Sequence, residues 1–96
     1  MPVALLTIEL RIEGAHSLKD KRQVLRSLQS RLRDTFGISV AETGAQDVWQ
    51  TAELTIAIAA SDANHARATL DKIAEFIDDF HLPVTIVEAE SELIYF

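Results

Sequence analysis

The sequence predicts an α+β domain with the element order β-α-β-β-α-β, on three observations. Two segments alternate between apolar and polar residues, which is typical of strands with one buried face. Two others, residues 18–36 and 63–80, carry apolar residues at helical spacing. A length of 96 residues fits one domain. We therefore expect a single domain over residues 1–96, in which two helices cover one face of a four-stranded antiparallel sheet.

The first strand and the first helix have clear boundaries in the sequence. Residues 3–13 alternate, with Ala, Leu and Ile on one parity. Ser17 can cap the helix over residues 18–36, and Asp20, three residues later, completes a capping box. Gly37 supplies a left-handed stop at the end of that helix.

The second half of the chain repeats the pattern. Residues 38–42 form a short strand, residues 43–47 a hairpin connection that contains a glycine, and residues 49–60 the second strand of the hairpin. A Ser-Asp pair then caps the helix over residues 63–80. The last strand begins at Val84 and runs into an acidic and then apolar terminus.

This order, with both helices on one face, is that of a ferredoxin-like sandwich. RNA-recognition domains of this topology place aromatic residues on the two central strands of the open face. The corresponding positions here are hydroxylic, charged or small: Thr7, Glu9, Arg11, Glu53, Thr55, Ala57 and Ala59. We therefore do not expect the sheet to bind RNA.

Composition excludes several kinds of catalytic site. The chain has no cysteine, which rules out thiolate chemistry, disulfides and zinc–cysteine sites. The three glycines are too far apart in the sequence to form a phosphate-binding glycine motif. The three histidines are scattered, and none has a second ligand at metal-binding spacing. We expect no catalytic residues, no metal and no cofactor, and hence a protein that is not an enzyme.

The N-terminal segment and the hydropathy of the chain predict a soluble protein. The first thirteen residues lack a basic region and resemble a strand more than a signal peptide. No run of apolar residues is long enough to span a bilayer. The expected location is the cytoplasm, with no membrane partner.

The charge of the chain is segregated. The net charge is −6, yet the first helix holds six basic residues and one acid between Lys19 and Arg33. On a helical wheel most of these basic residues form one stripe beside the apolar face, typical of a surface that follows phosphates. A solvated helix face is the alternative. The candidate nucleic-acid-binding residues are Lys19, Lys21, Arg22, Arg26 and Arg33.

Lys21 differs from the others because the wheel places it inside the apolar stripe. A buried lysine is costly unless it is paired. Its stem could cover the core while its ammonium reaches the rim. Alternatively, it could join Lys19 and the free N–H groups at the helix start in an anion site, although Asp20 competes for those donors.

The hairpin forms a second candidate site, made of Gln46, Asp47, Trp49 and Gln50. A lone tryptophan at the base of a hairpin is typical of a core or subunit-interface position. Base stacking would require cationic neighbours, and the local sequence is acidic.

Three runs of residues resemble the YlxP-like bacterial family of unknown function, over nearly the whole chain. They are Gly14–Arg22 (GAHSLKDKR), Ile38–Glu42 (ISVAE) and Ala45–Gln50 (AQDVWQ). Asp20 stands where the family more usually has Glu. The resemblance implies a small ferredoxin-like cytoplasmic protein with no established activity. It also implies genes that lie near those of translation initiation and ribosome maturation, which is an association and not a mechanism.

Two hypotheses of function follow. The first is a non-enzymatic accessory protein that contacts RNA or a ribosomal particle through the first helix. The second is a regulatory or scaffold domain, a homodimer or higher oligomer, that binds a small ligand or a protein at a subunit boundary. The open sheet face and the apolar end, residues 93–96, favour self-association. That end could extend the fourth strand or add to the sheet edge of a neighbour.

Overall fold

The computed structural model describes residues 1–96 and has the predicted element order. The elements are β1 (Pro2–Ile12), α1 (Leu18–Phe36), β2 (Ser39–Gly44), β3 (Thr51–Ala59), α2 (Ala63–Asp78) and β4 (Val84–Tyr95). The four strands form one antiparallel sheet in the order β2-β3-β1-β4. The ferredoxin-like α+β prediction is confirmed.

The predicted helix caps are present, except that Asp20 accepts from the residue before Ser17 and so does not close the capping box on Ser17 itself. The Ser17 hydroxyl accepts a hydrogen bond from the Asp20 N–H at 3.1 Å, and a carboxylate oxygen of Asp20 accepts one from the His16 N–H at 3.1 Å. Gly37 ends α1 in the left-handed region, with φ of 62°, which costs a residue with a Cβ more than it costs glycine. Asp62 caps α2 by accepting from the His65 N–H at 2.8 Å.

The core lies between the sheet and the two helices, and all six elements or their flanking residues contribute to it. α1 packs over β2, α2 packs over β1 and β4, and the two helices meet along one side. The alternation of β1 is confirmed in register: Leu6 lies opposite Ile56 and Ile8 opposite Leu54, all four buried.

The apolar C-terminal end belongs to the same subunit's sheet. Residues 93–95 continue β4 alongside the start of β1. Beyond them, Met1 and Phe96 exchange two backbone hydrogen bonds, of 2.8 and 3.0 Å. Of the two alternatives predicted for this segment, the structure shows the extension of strand four.

The hairpin is the main difference from the predicted boundaries. Residues 49 and 50 were expected in the strand, but β3 begins only at Thr51 and residues 45–50 form a loop. β2 extends to Gly44 through an irregularity in its register with β3. Glycine at position 44 lets the Glu53 side chain approach closely, since a Cβ there would lie 3.0 Å from a carboxylate oxygen of Glu53.

Candidate functional site

The exposed basic surface of α1 consists of Lys19, Arg22 and Arg26, which we call the α1 basic stripe. All three side chains are exposed, and none takes part in an ion pair. Positions 19, 22 and 26 follow the i, i+3, i+7 spacing that puts residues on one side of a helix. The chain therefore presents three adjacent cations whose charge no carboxylate neutralises.

Arg33 continues this side of α1 but has a structural contact. Its Nη2 donates to the Val40 carbonyl at 2.9 Å and to Gln29 Oε1 at 3.3 Å. These bonds tie the last turn of α1 to β2. They also show that the α1 basic stripe lies on the side of the helix that faces the β2 edge.

Lys21 lies in the core and not on the surface. Its residue is 1% exposed. Its Nζ donates to the Ala45 carbonyl at 2.5 Å and the Val48 carbonyl at 2.8 Å, and it lies 3.0 Å from Glu42 Oε2. That oxygen has no other polar partner. The lysine thus directs its charge at three acceptors, two of them in the hairpin loop.

Both predictions for Lys21 that placed it at the surface are therefore wrong. Its ammonium does not reach the rim, because it is held beneath the hairpin. It cannot contact a nucleic acid, because it is covered. The anion site at the helix start also loses support, since Asp20 already occupies the N–H of His16.

The hairpin loop has one conformation imposed by these contacts. Ala45 adopts a positive φ of 56°, unusual for a residue with a Cβ. Its carbonyl accepts from both Lys21 and the Val48 N–H. Gln50 Nε2 donates to the Ala15 carbonyl at 3.2 Å, and Gln46 Nε2 to the Glu42 carbonyl at 3.3 Å. The loop is thus fixed against the start of α1.

Trp49 is 52% exposed and its neighbour Val48 is 48% exposed. The interpretation of Trp49 as a core residue is wrong, because the tryptophan projects from the loop. The loop is anchored on Lys21, so it lies at the end of α1 that carries Lys19 and Arg22. Asp47, also exposed, completes the loop.

The open face of the sheet is acidic at its centre. Glu9 lies opposite Glu53 on one side and Glu88 on the other, and Glu90 lies beside them around a shallow depression of about 220 Å³. Thr43 donates to Glu53 at 2.7 Å, which satisfies one of these carboxylates. The predicted absence of aromatic residues on the central strands is confirmed, and the face repels polyanions.

The three histidines are exposed and lie in different parts of the chain. The ring of His81 lies beside the ring of Phe80, with ring centroids 4.6 Å apart and the planes tilted by 55°. No group of three or more His, Asp or Glu side chains is arranged to hold a metal ion. The expectation of no metal or cofactor stays a prediction.

A groove between α2 and β4 was not anticipated from the sequence. It has a volume of about 600 Å³, is mostly apolar, and opens at the edge of the sheet. The sequence of β4 contains a sign of this groove. The helix-facing positions after Ile86 are Ala89 and Ser91, whose side chains are too small to fill the space beneath α2.

No helix has both the length and the apolar character that a membrane crossing requires. Among curated proteins, the chain is 38% identical over 69 residues to the "Uncharacterized protein YlxP" of Bacillus subtilis (strain 168). The match covers 72% of this chain and 75% of that protein. A family model described as "Protein of unknown function (DUF503)" matches residues 3–91. The expected YlxP-like resemblance is confirmed, and the chain belongs to the DUF503 family of proteins of unknown function.

Proposed function

We propose that this protein is a non-enzymatic cytoplasmic accessory protein that contacts RNA, free or in a ribosomal particle, through the α1 basic stripe. The observation that carries the proposal is the exposed, unpaired set Lys19, Arg22 and Arg26 on a chain with net charge −6. On so acidic a molecule a polyanion is attracted to one surface and repelled by the others. The protein would therefore bind RNA with the α1 basic stripe facing the RNA.

The spacing of the stripe suits successive phosphates. Lys19 and Arg26 are seven residues apart, roughly 10 Å along the helix axis. One strand of a duplex carries a phosphate about every 3.4 Å of its axis. Three cations over this length can neutralise separate phosphates, and each contact contributes to affinity and to its salt dependence.

Trp49 supports a single-stranded or looped RNA over a regular duplex. Sequence-specific RNA recognition uses unstacked bases, and base stacking on an aromatic side chain contributes about 1–3 kcal/mol per base. The exposed indole lies on the loop anchored beside the first turn of α1. The loop is tied to the end of α1 that carries Lys19, so the proposal includes stacking of an RNA base on Trp49.

The non-enzymatic part of the proposal rests on the side-chain contacts. The hydroxyl of Ser17, at the start of α1, is engaged with the Asp20 N–H. No hydrogen bond joins a hydroxyl or carboxylate to a histidine side chain, as an activated nucleophile would require.

The test replaces Arg22 and Arg26 by Glu and measures binding of a fluorescein-labelled, single-stranded RNA by anisotropy over a range of salt. The matched control is Arg67→Glu with Lys72→Glu, which changes the net charge equally on the exposed face of α2. We expect the α1 variant to lose binding and the α2 variant to retain most of it. Equal losses in both variants would show that only net charge matters and would reject the stripe.

Self-association is the second candidate function, and the exposed pair Val48 and Trp49 favours it. Two large apolar side chains at half exposure are typical of the centre of an interface. The chain would then be an oligomeric regulatory or scaffold domain with its ligand at the subunit boundary. Sedimentation equilibrium of the wild type and Trp49→Ala distinguishes the two: a dimer that Trp49→Ala converts to monomer supports this candidate.

A further inference from the structure

The outer edge of β4 is a long strand edge without a partner. β4 is the last strand of the sheet, and its pairing with β1 is regular from Glu88 to Tyr95. Only the irregularity between Glu9 and Leu10, opposite residue 87, interrupts the register. Eight residues, about 26 Å of strand, are therefore available for pairing.

The hydrogen-bonding pattern identifies which backbone groups are free. Met1 and Phe96 exchange both of their backbone bonds. In an antiparallel ladder, pairs that exchange both bonds alternate with pairs that exchange none. The N–H and C=O groups of the second kind of pair point away from the partner strand. The N–H and C=O groups of Ala89, Ser91 and Leu93 therefore point away from β1, into the open edge.

These same three residues face the helices and line the groove beneath α2. Leu70 and Ala74 of α2 form its other wall. A strand added at the edge would place every second side chain over this groove. The groove is mainly apolar, so those side chains would gain by being apolar.

The intervening positions of β4 carry Glu88, Glu90 and Glu92 on the open face. Across the strand, Glu9 lies opposite Glu88 and adds a further carboxylate. The alternate side chains of an added strand would lie directly opposite this row. Opposite charges at cross-strand positions are stabilising and like charges are destabilising, so those side chains would be basic.

The same row of carboxylates argues against a second copy of this chain at the edge. Antiparallel pairing of β4 with β4 about Glu90 would place Glu88 opposite the partner's Glu92 and Glu90 opposite itself. Six carboxylates would then lie on one face. The glutamate row thus disfavours this self-pairing and favours a strand of opposite charge.

We propose that the β4 edge binds an extended, alternately apolar and basic segment of another protein as a fifth antiparallel strand. Main-chain hydrogen bonds to Ala89, Ser91 and Leu93 would supply affinity, and the groove and the glutamate row would supply specificity, as in other cases of strand addition. This surface lies at the opposite edge of the sheet from β2 and the α1 basic stripe. The inference does not depend on RNA binding.

The probe is a synthetic peptide of alternating Val and Lys, long enough to span residues 88–95, followed by fluorescence anisotropy. Two control peptides have Glu in place of Lys, or N-methyl groups on the alternate backbone nitrogens that would face β4. We expect the Val-Lys peptide to bind, and both controls to bind at least tenfold more weakly. Equal binding of the N-methylated peptide would overturn the proposal, since it would show charge attraction without strand addition.

Two variants locate the site. Glu90→Lys with Glu92→Lys should weaken Val-Lys binding at least tenfold and admit the Val-Glu peptide. Glu13→Lys with Glu75→Lys, which changes the net charge equally at exposed positions outside residues 88–95, should have much less effect. Similar losses in both variants would contradict the assignment.

Amide hydrogen exchange gives a readout at single residues. Bound peptide should slow exchange at Ala89, Ser91 and Leu93, and leave Glu90 and Glu92, already bonded to β1, unchanged. If these amides are instead protected by raising the concentration of the protein alone, the occupant is a second copy and the proposal fails.

Discussion

At the scale of single residues, Lys21 connects three parts of the chain. Its ammonium joins α1 to the carbonyls of Ala45 and Val48 and to the carboxylate of Glu42. The side chain of Glu42 is 23% exposed, whereas that of Lys21 is only 2% exposed. The burial is tolerated because the ammonium donates two hydrogen bonds to carbonyls and forms an ion pair with a carboxylate. The position of Trp49 depends on this contact, because the loop has few other bonds to α1.

Lys21→Met should lower the free energy of unfolding by roughly 3 kcal/mol, because it leaves the Glu42 carboxylate without its ion-pair partner and removes the donor of the Val48 carbonyl. Urea denaturation measures the loss. Lys19→Met, two residues away in the same helix and exposed, is the matched control and should change stability by less than about 0.5 kcal/mol. A loss in Lys21→Met no larger than in the control would contradict the anchoring role.

At the scale of the elements, the sheet and α1 have opposite electrostatic roles. α1 carries the unpaired cations, while β1, β3 and β4 bring Glu9, Glu53 and Glu88 side by side. Like charges directly opposite each other destabilise a sheet. We therefore expect the acidic face to reduce the stability of the fold.

Glu9→Gln should raise the free energy of unfolding by about 0.5 kcal/mol, because Glu9 faces a glutamate on each neighbouring strand. Salt screens this repulsion, so the gain should shrink as ionic strength rises. Thermal or urea unfolding at low and high salt measures both effects. Glu13→Gln, beyond the end of β1, should give no comparable gain; an equal gain there would attribute the effect to net charge.

At the scale of the whole molecule, the two longest strands set the shape. β1 and β4 run together over nearly their full length, and the molecule is 42 Å long but only 22 and 19 Å across. The chain ends meet at one end of this pair through Met1 and Phe96. Residues 93–96 therefore stabilise the single subunit, whatever its oligomeric state.

Deletion of residues 93–96 should lower the free energy of unfolding by about 2 kcal/mol, because it removes backbone bonds to the start of β1 and the partly buried Leu93. The control replaces only Tyr95 and Phe96, 65% and 81% exposed, by Ser. It should cost less than about 0.5 kcal/mol. A control as damaging as the deletion would mean that these aromatic side chains are buried in an oligomer, and sedimentation equilibrium would show it.

The sequence by itself determined the element order, the helix starts and the buried parity of the strands. These features follow from local periodicity and capping, as the Ser17 and Asp62 caps show. It also located the basic side of α1, because a helix of known start fixes which residues share a face.

Only the tertiary structure decided the environment of Lys21, the exposure of Trp49 and the groove beside β4. Each depends on residues that are distant in sequence and close in the fold. Lys21 bonds to the Val48 carbonyl, and Ala89 lines the same groove as Leu70 of α2. A helical wheel shows that Lys21 faces inward, but it cannot show that two carbonyls and a carboxylate lie there to receive its charge. The reason is physical: the cost of burying a charge is set by the partners that the folded chain supplies.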